Sequence, residues 1–433
     1  MLIAIVYSIT MHDHIKRDYF WNTIGVFAQN AISPLLLVAI TRINGIYDSG
    51  VFSFAFSVSI IFWALGMWGG RTYQVSDVKH EFSHRSYILA RIILAVIMLI
   101  GAMIFSFVNS YSLEYSRMIF VLVLFKAIES IADALYGILQ VHARLYISGK
   151  SLLFKAVGGF SAFIMIDILT RNILFGSVSI VVVNILLLLF YDLRNTIKLE
   201  NIQIKLAQVK HYTKSSCVIL IRSAPVFAVL FLAMFSLNIP RYFINLFHQG
   251  QIGYFGIIVM PITLIALLMV FVLQPNVLHL SKLYKEEKYP EFHKIVKKLS
   301  YVTVLAGAVI LLVTYIIGVP ALEFVFGIDF SKYRLSLIIV VAGGTINALV
   351  SIFINMLIIL RRFKQQFYIL LVTNIVLIVL SDIFIKEYGL LGGVTLFTAI
   401  NLIQAYLLFM VYKRTLKRPK MQPSRDIALE YKS

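Results

Sequence analysis

Charge is scarce in this chain. Of its 433 residues, 14% are Asp, Glu, Lys or Arg, where a soluble domain carries about a quarter. Acid is scarcer still, with 20 acidic residues against 39 basic ones and a formal net charge of +19. Cysteine is nearly absent: Cys217 stands alone, so no intrachain disulfide can form and redox compartment is not legible. No G-x-x-x-x-G-K-[ST] phosphate loop occurs, which argues against ATP hydrolysis by this chain. No link between apolar stretches is long and polar enough to fold as a separate soluble domain.

What is abundant is apolar surface. Hydrophobic residues make up 60% of the sequence, and the mean hydropathy is +0.89. A soluble domain of this length cannot hide so much apolar surface. About 20 apolar residues cross the roughly 30 Å of bilayer hydrocarbon as a helix. Such runs fall near 20–41, 51–69, 92–109, 118–140, 152–169, 173–191, 217–239, 254–274, 301–319, 336–359, 367–385 and 390–411. They are continuous runs of helix length, not the short alternating segments of a membrane β-barrel. The expected fold is therefore an all-α polytopic membrane protein of about twelve transmembrane helices. The polar link 192–216 divides it into two six-helix lobes around a central cavity. We expect an N-terminal lobe at 1–195, a connector at 196–216 lying on the membrane surface, a C-terminal lobe at 217–412 and a basic tail at 413–433. With the N-terminus inside the cell, about 30 of the 39 basic residues fall in cytoplasmic pieces, the bias that orients membrane helices. Both termini are then cytoplasmic, in the cell membrane. The basic residues lie between apolar spans, not along one face, so nucleic acid is not the expected partner. The first ten residues lack a basic leader and a cleavage site, so no signal peptide is expected, and Met11 reads as the natural start.

Polar groups inside spans usually face a cavity or a partner. Lys126, Glu129 and Asp133 share one helix face by their spacing, with Glu129 roughly 16 Å below the outer helix end by helical rise. Lys126 suits an anionic group; Glu129 and Asp133 suit a coupling proton or cation. A self-neutralised ladder holding the helix to its neighbours is the plainer reading. Arg222, near the cytoplasmic end of the seventh span and before Pro225, suits phosphate because its planar fork donates in pairs; snorkelling to the interface is the alternative. Arg42, Arg71 and Arg241 stand at span ends as further candidate binding residues, or as anchors. Asp167 and Asp382 lie near outer span ends and are read as reaching water. His80-Glu81-Phe82-Ser83-His84 fits the H-E-x-x-H zinc pattern, but it lies in a polar link beside Lys79 and Arg85, and no metal, cofactor or catalytic residue is expected. A weak internal repeat relates Thr41-Arg42 followed by Gly50-Val51-Phe52 to Pro240-Arg241 followed by Gly253-Tyr254-Phe255. Internal repeats with a site between the halves are a common transporter design.

Several segments resemble Wzx-type polysaccharide repeat-unit flippases. They are Arg17-Asp18-Tyr19-Phe20-Trp21-Asn22-Thr23-Ile24-Gly25, Thr41-Arg42-Ile43-Asn44-Gly45, Tyr73-Gln74-Val75-Ser76-Asp77, Asp133-Ala134-Leu135-Tyr136-Gly137-Ile138-Leu139-Gln140 and Asn238-Ile239-Pro240-Arg241-Tyr242. The C-terminal third matches only in span pattern. The resemblance implies the multidrug/oligosaccharidyl-lipid/polysaccharide exporter superfamily, with two six-helix lobes working by alternating access. It further implies an undecaprenyl-diphosphate-linked oligosaccharide as substrate, membrane lipids and polysaccharide polymerase machinery as partners, and a role in capsule, exopolysaccharide or O-antigen assembly. Rival readings are a drug–cation antiporter of the same fold, which would favour carboxylates in its cavity, and a flippase for another polyprenyl lipid. A membrane-embedded polymerase would need a longer catalytic loop.

Overall fold

A computed structural model describes residues 2–77, 81–200, 202 and 208–417. His80, part of the connector and most of the basic tail lie outside the described residues. The chain is helical: α1 (Leu2–Ile43), α2 (Ile46–Gly66), α3 (Arg71–Ser76), α4 (His84–Val108), α5 (Leu113–Val141), α6 (Leu145–Thr170) and α7 (Ile173–Leu187). A π turn at Leu188–Leu193 carries α7 into α8 (Arg194–Ile197). The second half comprises α9 (Val209–Phe247), α10 (Ile252–Ile258), α11 (Met260–Lys285), α12 (Tyr289–Phe326), α13 (Arg334–Ile359) and α14 (Phe363–Lys417).

Among the described residues, nine helices are long and apolar enough to cross a membrane. Three features bring the crossings to about twelve. At Gly389, α14 leaves helical geometry (φ 55°, ψ −133°), which divides it into two arms, each of spanning length. Glycine suits this break because a left-handed φ carries no Cβ penalty there. The helices α10 and α11 together form one crossing, interrupted at Val259. Finally, α5 has 29 residues, or about 43 Å of helix, and packs against α2, α4 and α7 despite Lys126, Glu129 and Asp133 along its length.

Two lobes of six crossings result. In the first, α1 lies along α6, α6 on α7, and α5 between α2, α4 and α7. In the second, α14 lies along α13 and α9, while α11 and α12 cover α13. Their surfaces read as lipid-facing: Phe107 on α4 and Phe324 on α12 are 86% and 83% exposed. The described ends of α1 and α14 lie on one face of the bundle, here the terminal face. There Asp18 accepts from the amides of Leu145 and Tyr146 (3.2 and 3.1 Å), capping α6. His293 at the start of α12 likewise meets the Tyr412 hydroxyl at 3.1 Å.

The repeated segments meet each other between the lobes. A Cβ on Gly50 of α2 would lie 3.1 Å from the Gly253 amide of α10 and 2.8 Å from Ile252 Cγ2. The glycine at the start of each second crossing therefore lets the two backbones touch. On the terminal face the first lobe grips α9. The Trp68 ring stacks on Phe227 at 4.1 Å, Trp68 Nε1 donates to Leu220 O (2.8 Å) and Ser216 Oγ donates to Ser86 O (2.7 Å). On the far face, Tyr242 Oη donates to Asn109 Oδ1 (2.7 Å).

Candidate functional site

A cavity of about 600 Å³ lies between the lobes, lined from α1, α2, α5 and α6 on one side and from α9, α10, α11, α13 and α14 on the other. Most of its lining is apolar or aromatic. Its neutral polar groups are amides and hydroxyls: Gln29, Asn30, Ser33, Ser53, Asn238, Thr263 and Asn347 among them. Arg71, Lys126, Lys155 and Arg241 bring positive charge to the wall, and Glu129 and Asp133 bring negative charge.

The face of α5 foreseen from spacing does line this cavity. Lys126 Nζ donates to Glu129 Oε2 at 2.6 Å, and Gln29 Nε2 of α1 donates to the other Glu129 oxygen. The ammonium is also boxed by Phe125 and Phe56, 4.8 and 5.1 Å from the ring centres, contacts that attract a desolvated cation. One turn on, Asp133 sits between two guanidinium groups, Arg71 at 3.4 Å and Arg91 at 3.5 Å. Arg91 is 2% exposed and also donates to Trp68 O (3.1 Å) and Gly66 O. Two cations therefore share one carboxylate.

Arg241 differs from the rest. It stands near the far end of α9, one residue after Pro240, with its guanidinium 5.6 Å from the Phe255 ring centre. Among the described residues no carboxylate lies within ion-pair distance of it, and its Nε has no hydrogen-bond partner. An arginine on a cavity wall with its fork unfilled is a ready receptor for a phosphate or carboxylate.

Arg42 and Arg222 lie away from this cavity. Arg42 ends α1 and donates from Nε to Val325 O (2.9 Å) and from its terminal nitrogen to Phe324 O. These are among the last carbonyls of α12, which ends at left-handed Gly327, so a cation there both caps the helix and complements its dipole. The contact ties the lobes on the far face. Arg222 pairs with Glu81 at 2.6 Å and lies over the Phe82 ring at 5.4 Å, joining α9 to the link before α4. Glu81, part of the zinc-like pentapeptide, is thus held in an ion pair, and His84 is buried between Gln74 (3.2 Å) and Glu200 (3.4 Å). Asp167 does not reach water: it is fully buried and accepts from Asn44 Nδ2 at 3.1 Å. Asp382 is exposed.

The sequence reading missed Arg91, Lys155 and Asp192, which stand at span edges and count there as interfacial charge. Lys155 Nζ of α6 donates to Asp192 Oδ2 of the π turn at 2.5 Å and to Tyr136 Oη of α5 at 2.9 Å. Ser151 completes the cluster, 2.9 Å from Tyr136 Oη. The lysine is 2% exposed and the aspartate fully buried. The available sequence signal was a basic residue one turn inside the fifth span and an acidic residue just beyond the sixth.

No family model matches the chain. It is 25% identical over 399 residues to "Capsular polysaccharide biosynthesis protein CapF" of Staphylococcus aureus, covering 90% of this chain and 98% of that one. The fold is similar to an inward-facing conformation of a MATE family multidrug resistance transporter of the MOP superfamily (TM-score 0.66, 12% identity, 92% of this chain and 96% of that one). It is similar also to the lipid II flippase MurJ in an inward closed conformation (TM-score 0.67, 15% identity, 90% and 87%). These findings bear out the resemblance read from the short segments, and the chain has the fold of the MOP superfamily transporters.

Proposed function

We propose that this protein flips a polyprenyl-diphosphate-linked oligosaccharide, of the undecaprenyl type, across the cell membrane by alternating access between its two lobes, in capsule or related polysaccharide assembly. The observation that carries the reading is Arg241: a cavity guanidinium with no carboxylate partner among the described residues, in a cavity whose neutral polar groups are amides and hydroxyls. A diphosphate needs cations that are not already neutralised, and sugars need neutral donors and acceptors. The sharing of Asp133 by Arg71 and Arg91 adds a second excess positive charge. Likeness to a capsule biosynthesis protein and to a lipid II flippase supports the same substrate class.

The basic bias supports a cytoplasmic terminal face, with the substrate loaded there and released at the far face. Arg42 on the α12 carbonyls and the α2–α10 contact join the lobes on the far side, where release would have to part them. The rival antiporter reading needs a cavity carboxylate free for a cation. Both Glu129 and Asp133 are occupied by cations of the chain itself, which argues against it.

The deciding measurement is leaflet exposure of a labelled undecaprenyl-diphosphate oligosaccharide in proteoliposomes. Protein-dependent appearance of the sugar on the opposite leaflet, lost on Arg241→Ala, is the expected result. No exposure with the native oligosaccharide and both proton and sodium gradients supplied would sink the reading and direct a screen to cationic drugs.

A further inference from the structure

The Lys155–Asp192 pair is unlike the other ion pairs of the first lobe. Both partners are essentially sealed from solvent, 2% and 0% exposed. A structural anchor of this kind saturates its carboxylate, because an oxygen left bare in a low-dielectric interior is costly. Asp192 Oδ1 nevertheless has no hydrogen-bond partner among the described residues. The backbone that carries it is a π turn at Leu188–Leu193, an irregularity that recurs at functional positions of helices. The lysine end of the pair, with Tyr136, reaches the cavity wall, while the aspartate end lies behind it.

We propose that Lys155 is a reserve anion-binding cation of the cavity, stored on Asp192 and passed to the substrate's diphosphate, with Asp192 taking up one proton in exchange. This rests on the diphosphate reading above. The ammonium keeps all three protons and moves from one anion to another. The carboxylate it leaves gains a proton from water and becomes a neutral acid, because an isolated buried carboxylate is far less stable than its protonated form. The groups on Asp192 are Lys155 of α6 and Tyr136 of α5, with Ser151 of α6 bonded to that tyrosine. Tyr191 precedes it and Arg194 follows it on its own element, and the α5 carboxylates Glu129 and Asp133 are held by Lys126 and by Arg71 and Arg91. Once Lys155 turns away, none of these places a cation on Asp192 in its stead. Loading the cavity with a diphosphate would therefore be coupled to proton uptake inside the first lobe.

The test uses the full-length purified chain in lipid nanodiscs, with inorganic pyrophosphate as the probe. Binding is followed by tryptophan fluorescence, since Trp63 lines the cavity, and proton exchange by a pH indicator in weak buffer. The wild type is expected to take up about one proton more per pyrophosphate bound than Asp192→Asn. Asp192→Asn is expected to bind pyrophosphate at least as tightly as wild type, Lys155→Met about tenfold more weakly, and Lys155→Arg close to wild type. If Asp192→Asn does not purify as a folded species, the paired apolar variant Lys155→Met/Asp192→Leu serves instead, because such replacements of buried ion pairs are well tolerated. It should bind about as weakly as Lys155→Met and likewise lack the extra proton. Equal proton counts in wild type and variant would overturn the exchange while leaving the diphosphate reading intact. Equal weakening by Asp192→Asn and Lys155→Met would make the pair a structural anchor. Failure of the wild type to bind pyrophosphate at all would sink both readings.

Discussion

The two lobes share a helix count and differ in how they spend polarity. The first buries ions: Arg91, Lys155, Asp133, Asp167 and Asp192 are all among its buried residues, with Lys126 and Glu129 nearly so. The second buries amides and hydroxyls. Gln404 Nε2 donates to Thr373 Oγ1 (2.9 Å) and Ser236 Oγ (3.3 Å), Asn374 Nδ2 to Leu232 O (2.9 Å), and Asn347 Nδ2 to Asn401 Oδ1 (2.8 Å). Neutral networks hold their geometry whatever the protonation state, so they suit a lobe that acts as a fixed wall. Ion pairs can exchange partners or protons, so they suit a lobe that responds to a charged substrate. Arg241 is the exception in the second lobe, and it lines the same cavity as the ions of the first.

Exchanging the charges should therefore matter more than exchanging the amides. The largest effect on binding is expected at Arg241. Arg241→Ala should weaken pyrophosphate binding by about ten- to a hundredfold, as loss of a charge-assisted contact of roughly 1.5–3 kcal/mol implies, measured by titration of tryptophan fluorescence. An effect under twofold would leave the second lobe without a binding cation. The largest effect on stability is expected for Arg91→Met, read as the melting temperature in detergent. Removing one partner of a buried, hydrogen-bonded ion cluster costs about 3–5 kcal/mol, and a melting temperature within a degree of wild type would break the contrast. Glu129→Gln releases Lys126 from its carboxylate and should tighten pyrophosphate binding several-fold. It should also change the pH or sodium dependence of transport, whereas unchanged behaviour in both assays would make Glu129 a structural partner of Lys126. Arg42→Ala should leave pyrophosphate binding intact and shift the conformational balance toward an open far face, by about 1 kcal/mol for the loss of a capping cation. Spin-label distances between Glu114 and Lys332 positions would read that shift. The smallest change is expected for Gln404→Leu, roughly 0.5–1.5 kcal/mol of stability, with binding untouched.

Much of this is legible in the sequence. The twelve apolar runs correspond to the crossings because membrane insertion depends on summed hydropathy, which is a property of consecutive residues. The face shared by Lys126, Glu129 and Asp133 followed from helical spacing alone. The resembling segments also acquire local meaning in the fold. Gln74 of Tyr73-Gln74-Val75-Ser76-Asp77 donates to Ala134 O at 3.2 Å and packs where Gly137 has no side chain. Asp133 of the second segment holds Arg71, two residues before the first. Two stretches 60 residues apart were thus recognised separately and function as one joint.

What stayed illegible was which charge meets which. Arg42 and Arg241 occupy matching places in the internal repeat, each ending a first crossing. One caps a helix of the opposite lobe and the other lines the cavity. Lys155 and Asp192, 37 residues apart, look like interfacial charge at two span edges until α6 and α7 are laid side by side. The sequence by itself determined a polytopic helical membrane protein, its division into two halves, its charge bias and its likeness to polysaccharide exporters, because these depend on local composition and order. Only the tertiary structure decided which cations meet a carboxylate among the described residues and which does not. A direct ion pair needs its atoms within about 4 Å of each other, and distances of that kind between helices are fixed by packing, not by position along the chain.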